Sequence, residues 1–84
     1  PAEYQIAATL SLGSFPQDEA RVALLQILYP PLIAQYPAKP DEVRAAAVTA
    51  LSHHRGLPGV EKALAQACND RSLLVRQAAQ RLSE

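Results

Sequence analysis

An all-α fold built from short antiparallel helices follows from three features of the sequence. Alanine and leucine dominate, with sixteen and twelve of the 84 residues, while valine and isoleucine are scarce. The first pair favours helix and the second favours strand. Apolar residues recur at three- and four-residue spacing, and no run alternates with the period of a strand. Gly, Pro and Asn divide the chain into five segments of helical length.

The first segment runs from about Ala2 to Leu12 and is expected to stop at Gly13, followed by the linker Ser14-Phe15-Pro16-Gln17. Asp18 is a candidate N-cap for a second helix reaching about Tyr29, where Pro30 and Pro31 end or kink it. Asp41 is the N-cap candidate of a third, ending near His54 before Gly56. Pro58 suits the first turn of a fourth, which ends at Asn69. Ser72 is positioned to cap a fifth that reaches the C-terminus.

Three stripes define the expected core: Ala20, Ala23, Leu24, Ile27 and Leu28; then Val43, Ala46, Ala47, Ala50 and Leu51; then Val60, Ala63, Leu64, Ala67 and Cys68. Val22, Leu25 and Tyr29 add a second stripe to the second helix, which predicts neighbours on two of its sides. The linkers at 13–17, 55–57 and 69–72 are short, so successive helices are expected to pair as hairpins.

The odd-numbered helices also resemble one another. Positions 43–51 read VRAAAVTAL, positions 75–82 read VRQAAQRL and positions 4–12 read YQIAATLSL. Each has an Ala pair at the same place: Ala7-Ala8, Ala46-Ala47 and Ala78-Ala79. The last two copies lie 32 residues apart, a period that marks an α-solenoid of stacked hairpins. Small side chains at the contact let helix axes approach closely, which explains a helix that buries alanine rather than leucine. Each alanine adds little hydrophobic stabilisation, so Leu and Val must anchor the stack.

Val43-Arg44, Ala46-Ala47 and Ala50-Leu51 resemble the HEAT repeat, particularly its short bacterial, phycobilisome-lyase-like type. Asp70, six residues before Arg76, matches the pattern of that family. The resemblance covers nearly the whole chain. It implies about two and a half repeats, an Asp in the turn inside a repeat and an Arg that ties neighbouring repeats into a ladder. Arg44, Asp70 and Arg76 are the ladder residues it implies. The chain departs from the pattern at Tyr4-Gln5 in place of Val-Arg, and at Ala38, where an Asp would precede Arg44. The spacing from first to second copy is 39, and the extra residues fall in YPPLIAQYPAKP at 29–40. There residues 32–35 suit an extra helical turn, read either as an extension of the second helix or as a partner-binding protrusion carrying Tyr29 and Tyr36.

On this reading the first helix is the second half of a hairpin. Residues 1–84 are then a single segment of a longer array, or a chain that self-associates through its exposed repeat ends. The start at Pro1 and the lack of Met fit either an excised fragment or removal of an initiator Met.

Eight basic residues balance eight acidic ones, which argues against nucleic acid as a partner. The longest apolar stretch, around Val22 to Ile33, is too short to span a bilayer, and no signal-peptide pattern is present. Cys68 is the single cysteine, so the chain forms no internal disulfide and a cytoplasmic setting is expected. Cys68 reads as a small hydrophobe, since no base or electropositive setting accompanies it.

His53 and His54 are adjacent, about 100° apart on a helix, and unsuited to clamp one metal ion. Charge at a helix C-terminus is the reading preferred for them. The deoxyhypusine hydroxylases, a branch of the same repeat family, bind iron through His-Glu pairs, which this sequence does not contain. Arg44 and Arg76 are read as structural, paired with Asp70 or with helix-end carbonyls, rather than as receptors for an acidic ligand.

No enzymatic activity and no cofactor are expected. The leading expectation is a scaffold that binds another protein. In HEAT arrays the second helix of each hairpin lines the concave side. The resemblance therefore implies contact through Thr49, Ser52, His53, Gln77, Gln80 and Arg81. The alternatives are an accessory segment of a bilin-attachment protein, as in phycobilisome-lyase-like systems, and a DNA-binding HEAT-like module.

Overall fold

Five α-helices and two short 3-10 turns make up the computed structural model, which describes residues 2–31 and 38–82. The fold is all-α, with no strand among the described residues. None of the described helices is long and apolar enough to cross a membrane. The extra turn expected at residues 32–35, and Tyr36 with it, lie outside the described residues.

Helix α1 spans Ala2–Ser11 and tightens into a 3-10 turn over Leu12–Ser14. The helix was expected to stop at Gly13, and α1 gives way to the 3-10 turn that includes it; the φ of Gly13 is not positive, unlike those of Gly56 and Gly59. Its role is close approach. A Cβ at Gly13 would lie 3.1 Å from both Cα and O of Ala50 and 2.9 Å from Cδ2 of His53. The His53 ring can swing aside, but the Ala50 backbone sits in a buried helix and cannot. Gly13→Ala is expected to destabilise the fold by about 1–3 kcal/mol through overpacking, measured as a lower midpoint in urea.

Helix α2 spans Asp18–Leu28. Asp18 is its first residue rather than its cap: Gln17 holds the extended cap conformation, and Asp18 and Glu19 place their charges in the first turn. The helix buries Ala20, Leu24 and Leu28, while Leu25, Ile27 and Tyr29 are partly covered against the same core. Val22, on the expected second stripe, stays 41% exposed. Arg21 donates from Nη1 to the carbonyl of Pro58 at 2.8 Å, fastening α2 to the turn before α4.

Helix α3, Asp41–Leu51, is the hub. Pro40 takes the cap position that Asp41 was expected to hold, and its carbonyl accepts from the N–H groups of Val43 and Arg44. A 3-10 turn over Ser52–His54 follows. Val43, Arg44, Ala46, Ala47, Val48, Ala50 and Leu51 are all buried, because α3 lies between α1 and α5 and also packs on α2. Nε2 of His54 is 3.1 Å from the carbonyl of Leu12, so an Nε2–H tautomer joins the two 3-10 turns.

Gly56 and Gly59 take φ values of 90° and 83°, open to glycine at little cost. The left-handed Gly59 keeps Pro58 out of the helix it was expected to start, and α4 spans Val60–Ala67. Val60, Ala63, Leu64 and Ala67 are buried and Cys68 is half-buried at the end of the stripe. Helix α5 spans Leu73–Arg81, with the Ser72 hydroxyl accepting from the N–H of Val75 at 3.4 Å. It turns Val75, Ala78 and Ala79 inward, against α3 and α4.

The three copies of the alanine pair differ in their surroundings. Ala46-Ala47 and Ala78-Ala79 are buried, whereas Ala7-Ala8 face outward on α1, together with Tyr4 at 73% exposure. No described helix covers that side of α1. Of the largest fully buried side chains, Leu24, Leu28, Leu51, Val48, Val60 and Val75 belong to one cluster contributed by α2, α3, α4 and α5.

Candidate functional site

Two features stand out around α3 and α5: a buried ion pair that joins them, and an exposed polar face above it. The ion pair begins with the α4–α5 turn. There Asp70 accepts the N–H of Ser72 at 2.9 Å, an Asx-type bond that shapes the entry to α5. Its carboxylate then receives both Nη groups of Arg44, at 3.2 and 2.6 Å, in the two-pronged geometry that suits guanidinium and carboxylate. Nε of Arg44 donates to the carbonyl of Leu28 at 3.1 Å, which satisfies an orphan group at the end of α2. The Tyr29 hydroxyl donates to Asp70 at 3.1 Å, and the Arg44 guanidinium sits 5.7 Å from the centre of the Tyr29 ring.

The residues alone left open whether each arginine meets Asp70 or a helix-end carbonyl. Arg44 meets both, and Arg76 donates from Nη1 to the main-chain oxygen of Asp70 at 2.8 Å. Arg44 and Asp70 side chains are 3% and 4% exposed, so this cluster has no room for a ligand. Burial alone would push the Asp70 carboxyl up. The hydrogen bonds from Arg44, Ser72 and Tyr29 outweigh it and bring the pKa down to about 2. Burial, followed by the hydrogen bond to Asp70, raises the Tyr29 hydroxyl to about 12. Both groups therefore hold one protonation state at neutral pH, and neither is poised for proton transfer. Chemically the cluster is a clasp: it fastens α3 and the end of α2 to the turn that opens α5.

Of the six residues expected to contact a partner, Thr49, His53, Gln77, Gln80 and Arg81 are exposed and Ser52 is half-buried. Thr49 lies on α3, Ser52 and His53 on the 3-10 turn that follows it, and Gln77, Gln80 and Arg81 on α5. The hydroxyl of Ser52 donates to the carbonyl of Thr49 at 2.5 Å, and that of Thr49 reaches the carbonyl of Ala45 only at 3.5 Å. His53 stands over Gly13 at the α1 end of the face. Gln77, Gln80 and Arg81 occupy the outward side of α5.

Two residues of this face escaped the sequence reading. Leu73 and Leu74 are 59% and 43% exposed, Leu73 on the side of α5 opposite Val75, Ala78 and Ala79 and Leu74 on the flank next to Ala78. A helical projection of Leu73–Arg81 would have found Leu73, which falls on one stripe with Gln77 and Gln80. Tyr29 also went unrecognised as a partner of Asp70, because no spacing rule joins residues 41 positions apart.

Cys68 borders a cleft of about 340 Å³ with Leu64, Ala79, Leu82 and the exposed Arg55–Glu61 pair. Compared with protein-family models, with curated proteins and with solved structures, the chain matches none.

Proposed function

We propose that this chain is a segment of a HEAT-like α-solenoid that acts as a non-catalytic scaffold, binding another protein through the outward face of α3 and α5. The observation that carries the proposal is the order of the helices: α3 lies between α1 and α5, with its small residues Ala46, Ala47 and Ala50 buried in the contacts. That row is what stacked hairpins would produce, with α2 and α4 forming the second layer. The Arg44–Asp70 clasp supports the same reading, because it runs from the α3 hairpin to the turn of the α4–α5 hairpin. A rigid, mostly neutral polar face on such a row suits a protein surface better than a phosphate backbone. A cytoplasmic setting agrees with the lone thiol.

Site-specific photocrosslinking tests this. A photoreactive residue at Thr49 or Gln77 is expected to trap a protein in the source cells, and the same residue at Gln26 on α2 is not. Adducts at Gln26 alone, or at none of the three, would remove the assignment of this face.

A further inference from the structure

We propose that the joint between α1 and α3 is a hinge, in which α1 pivots about the Leu12–Ser14 turn because the ion pair that locks α3 to α5 has neutral residues, Gln5 and Ala38, at both of its equivalent positions. The joint is internal to the chain and independent of what the chain binds.

Arg44 of α3 meets Asp70, which lies in the turn before α5. Gln5 stands 39 residues before Arg44, and Ala38 stands 32 before Asp70, the same offsets that align the three copies. An amide and a methyl group form no ion pair. The two positions are nonetheless close in space: Gln5 and Lys39, the neighbour of Ala38, line one cleft of about 390 Å³ with Thr9, Ile27 and Val43. A cleft therefore stands between α1 and the turn before α3, where the equivalent joint between α3 and α5 is clasped.

Helices α1 and α5 each have α3 as their one neighbour in the row, so they compare directly. Helix α5 buries Val75, Ala78 and Ala79, and its start is tied through Asp70 to Ser72, Arg76 and Arg44. Helix α1 buries Thr9 alone. Its fixed points lie at one end: the Leu12 carbonyl meets Nε2 of His54, and Gly13 lies close against the Ala50 backbone. Among the described residues, no side-chain hydrogen bond or ion pair ties residues 2–10 to another helix. A helix held at its last turn and thinly packed along the rest swings at little cost, since few buried contacts are given up. Such a swing bends the row at α1 and leaves α3 and α5 fixed to each other.

Thiol labelling reads the opening. In the whole chain with Cys68→Ala, Thr9→Cys puts a thiol at the buried position of α1, and Val48→Cys puts one at the repeat equivalent on α3, 39 residues on. Rates are normalised to those of the unfolded chain. Thr9→Cys is expected to react at least about tenfold faster than Val48→Cys, and its rate should rise only weakly with urea, since the swing of one helix exposes little surface. Val48→Cys should react only through global unfolding, with the full urea dependence. Gln5→Arg together with Ala38→Asp supplies the missing pair at two exposed sites. It should slow labelling at Thr9→Cys by about two- to fivefold, as an exposed ion pair does. Either change alone should not slow it, and added salt should cancel the gain.

Equal normalised rates at the two thiols, or a full urea dependence at Thr9→Cys, would mean that α1 opens only with the whole fold and would overturn the hinge. Unchanged labelling of Thr9→Cys in the chain carrying Gln5→Arg and Ala38→Asp would overturn it too, because the absent ion pair would not be what frees α1. No partner enters these measurements, so the hinge and the scaffold reading fail separately.

Discussion

Asp70→Ala is expected to destabilise the fold by about 3–5 kcal/mol, the usual penalty for stranding one member of a buried ion pair. The carboxylate accepts four hydrogen bonds, from two nitrogens of Arg44, from the Tyr29 hydroxyl and from the Ser72 N–H. Removing it leaves the Arg44 guanidinium buried, with only the Leu28 carbonyl as a partner. A domain of this size has roughly 5–15 kcal/mol in total, so much of the stability would go. Thermal unfolding followed by circular dichroism should show a midpoint lower by more than about 10 °C. Arg44→Met in the same chain should recover part of the loss, since no charge then remains stranded. If Asp70→Ala unfolds at the wild-type midpoint, the clasp does not hold the helices together.

The same pair gives the fold an acid limb. The Asp70 pKa lies at about 2 in the folded chain against 3.8 for a free side chain. A depressed carboxyl pKa contributes stability that is complete above the unfolded value and is lost as pH falls. The loss should therefore run from about pH 4 to pH 2 and amount to about 2 kcal/mol. Asp70→Ala should flatten that part of the curve. Tyr29 acts at the other extreme: its pKa is raised to about 12, so its contribution is lost as pH climbs above 10.

Leu51→Ala is expected to cost about 2–5 kcal/mol, the range for deleting a fully buried leucine. Leu51 is completely buried at the end of α3, in the same cluster as Leu24, Leu28, Val60 and Leu64. The alanines around it contribute little area each, so the few large side chains carry a disproportionate share of the burial energy. Their neighbours are backbone-stiff helices that cannot collapse into the space left behind, which places the effect in the upper part of the range. Urea denaturation measures it; a loss below about 1 kcal/mol would mean that the alanine contacts, not the leucine anchors, stabilise the stack.

Much of the helical layout was legible because its signals are local. The stripes of α3 and α4 are buried residue for residue except for the half-buried Cys68, and the Ser72 cap is in place. Signals that depend on tertiary neighbours were not legible. Ala7-Ala8 and Ala46-Ala47 look alike as sequence, yet one pair faces outward and the other is buried, because only α3 has helices on both sides. Gly13 was legible as the place where α1 stops, but not as a contact point, since the close approach of Ala50 comes from residues far along the chain. Asp18 and Asp41 look like caps, but each helix starts at them, and the preceding Gln17 and Pro40 take the cap conformation. On the polar face, periodicity identified exposed positions of α3 and α5. It did not single out Leu73 and Leu74, which are exposed on α5.

Spin labels test the stacking of hairpins most directly. Leu10, Thr49 and Arg81 occupy one register of the three aligned helices, at offsets of 39 and 32, and all three are exposed. Pairs of cysteines at these sites, in a chain with Cys68→Ala, allow three distances to be read by electron paramagnetic resonance. Stacked hairpins predict that Leu10–Thr49 and Thr49–Arg81 each correspond to one interhelical spacing, roughly 8–10 Å plus the label arms. Leu10–Arg81 should then be about twice as long. Three equal distances would place α1, α3 and α5 at the corners of a closed bundle and contradict the row of helices on which the scaffold proposal stands.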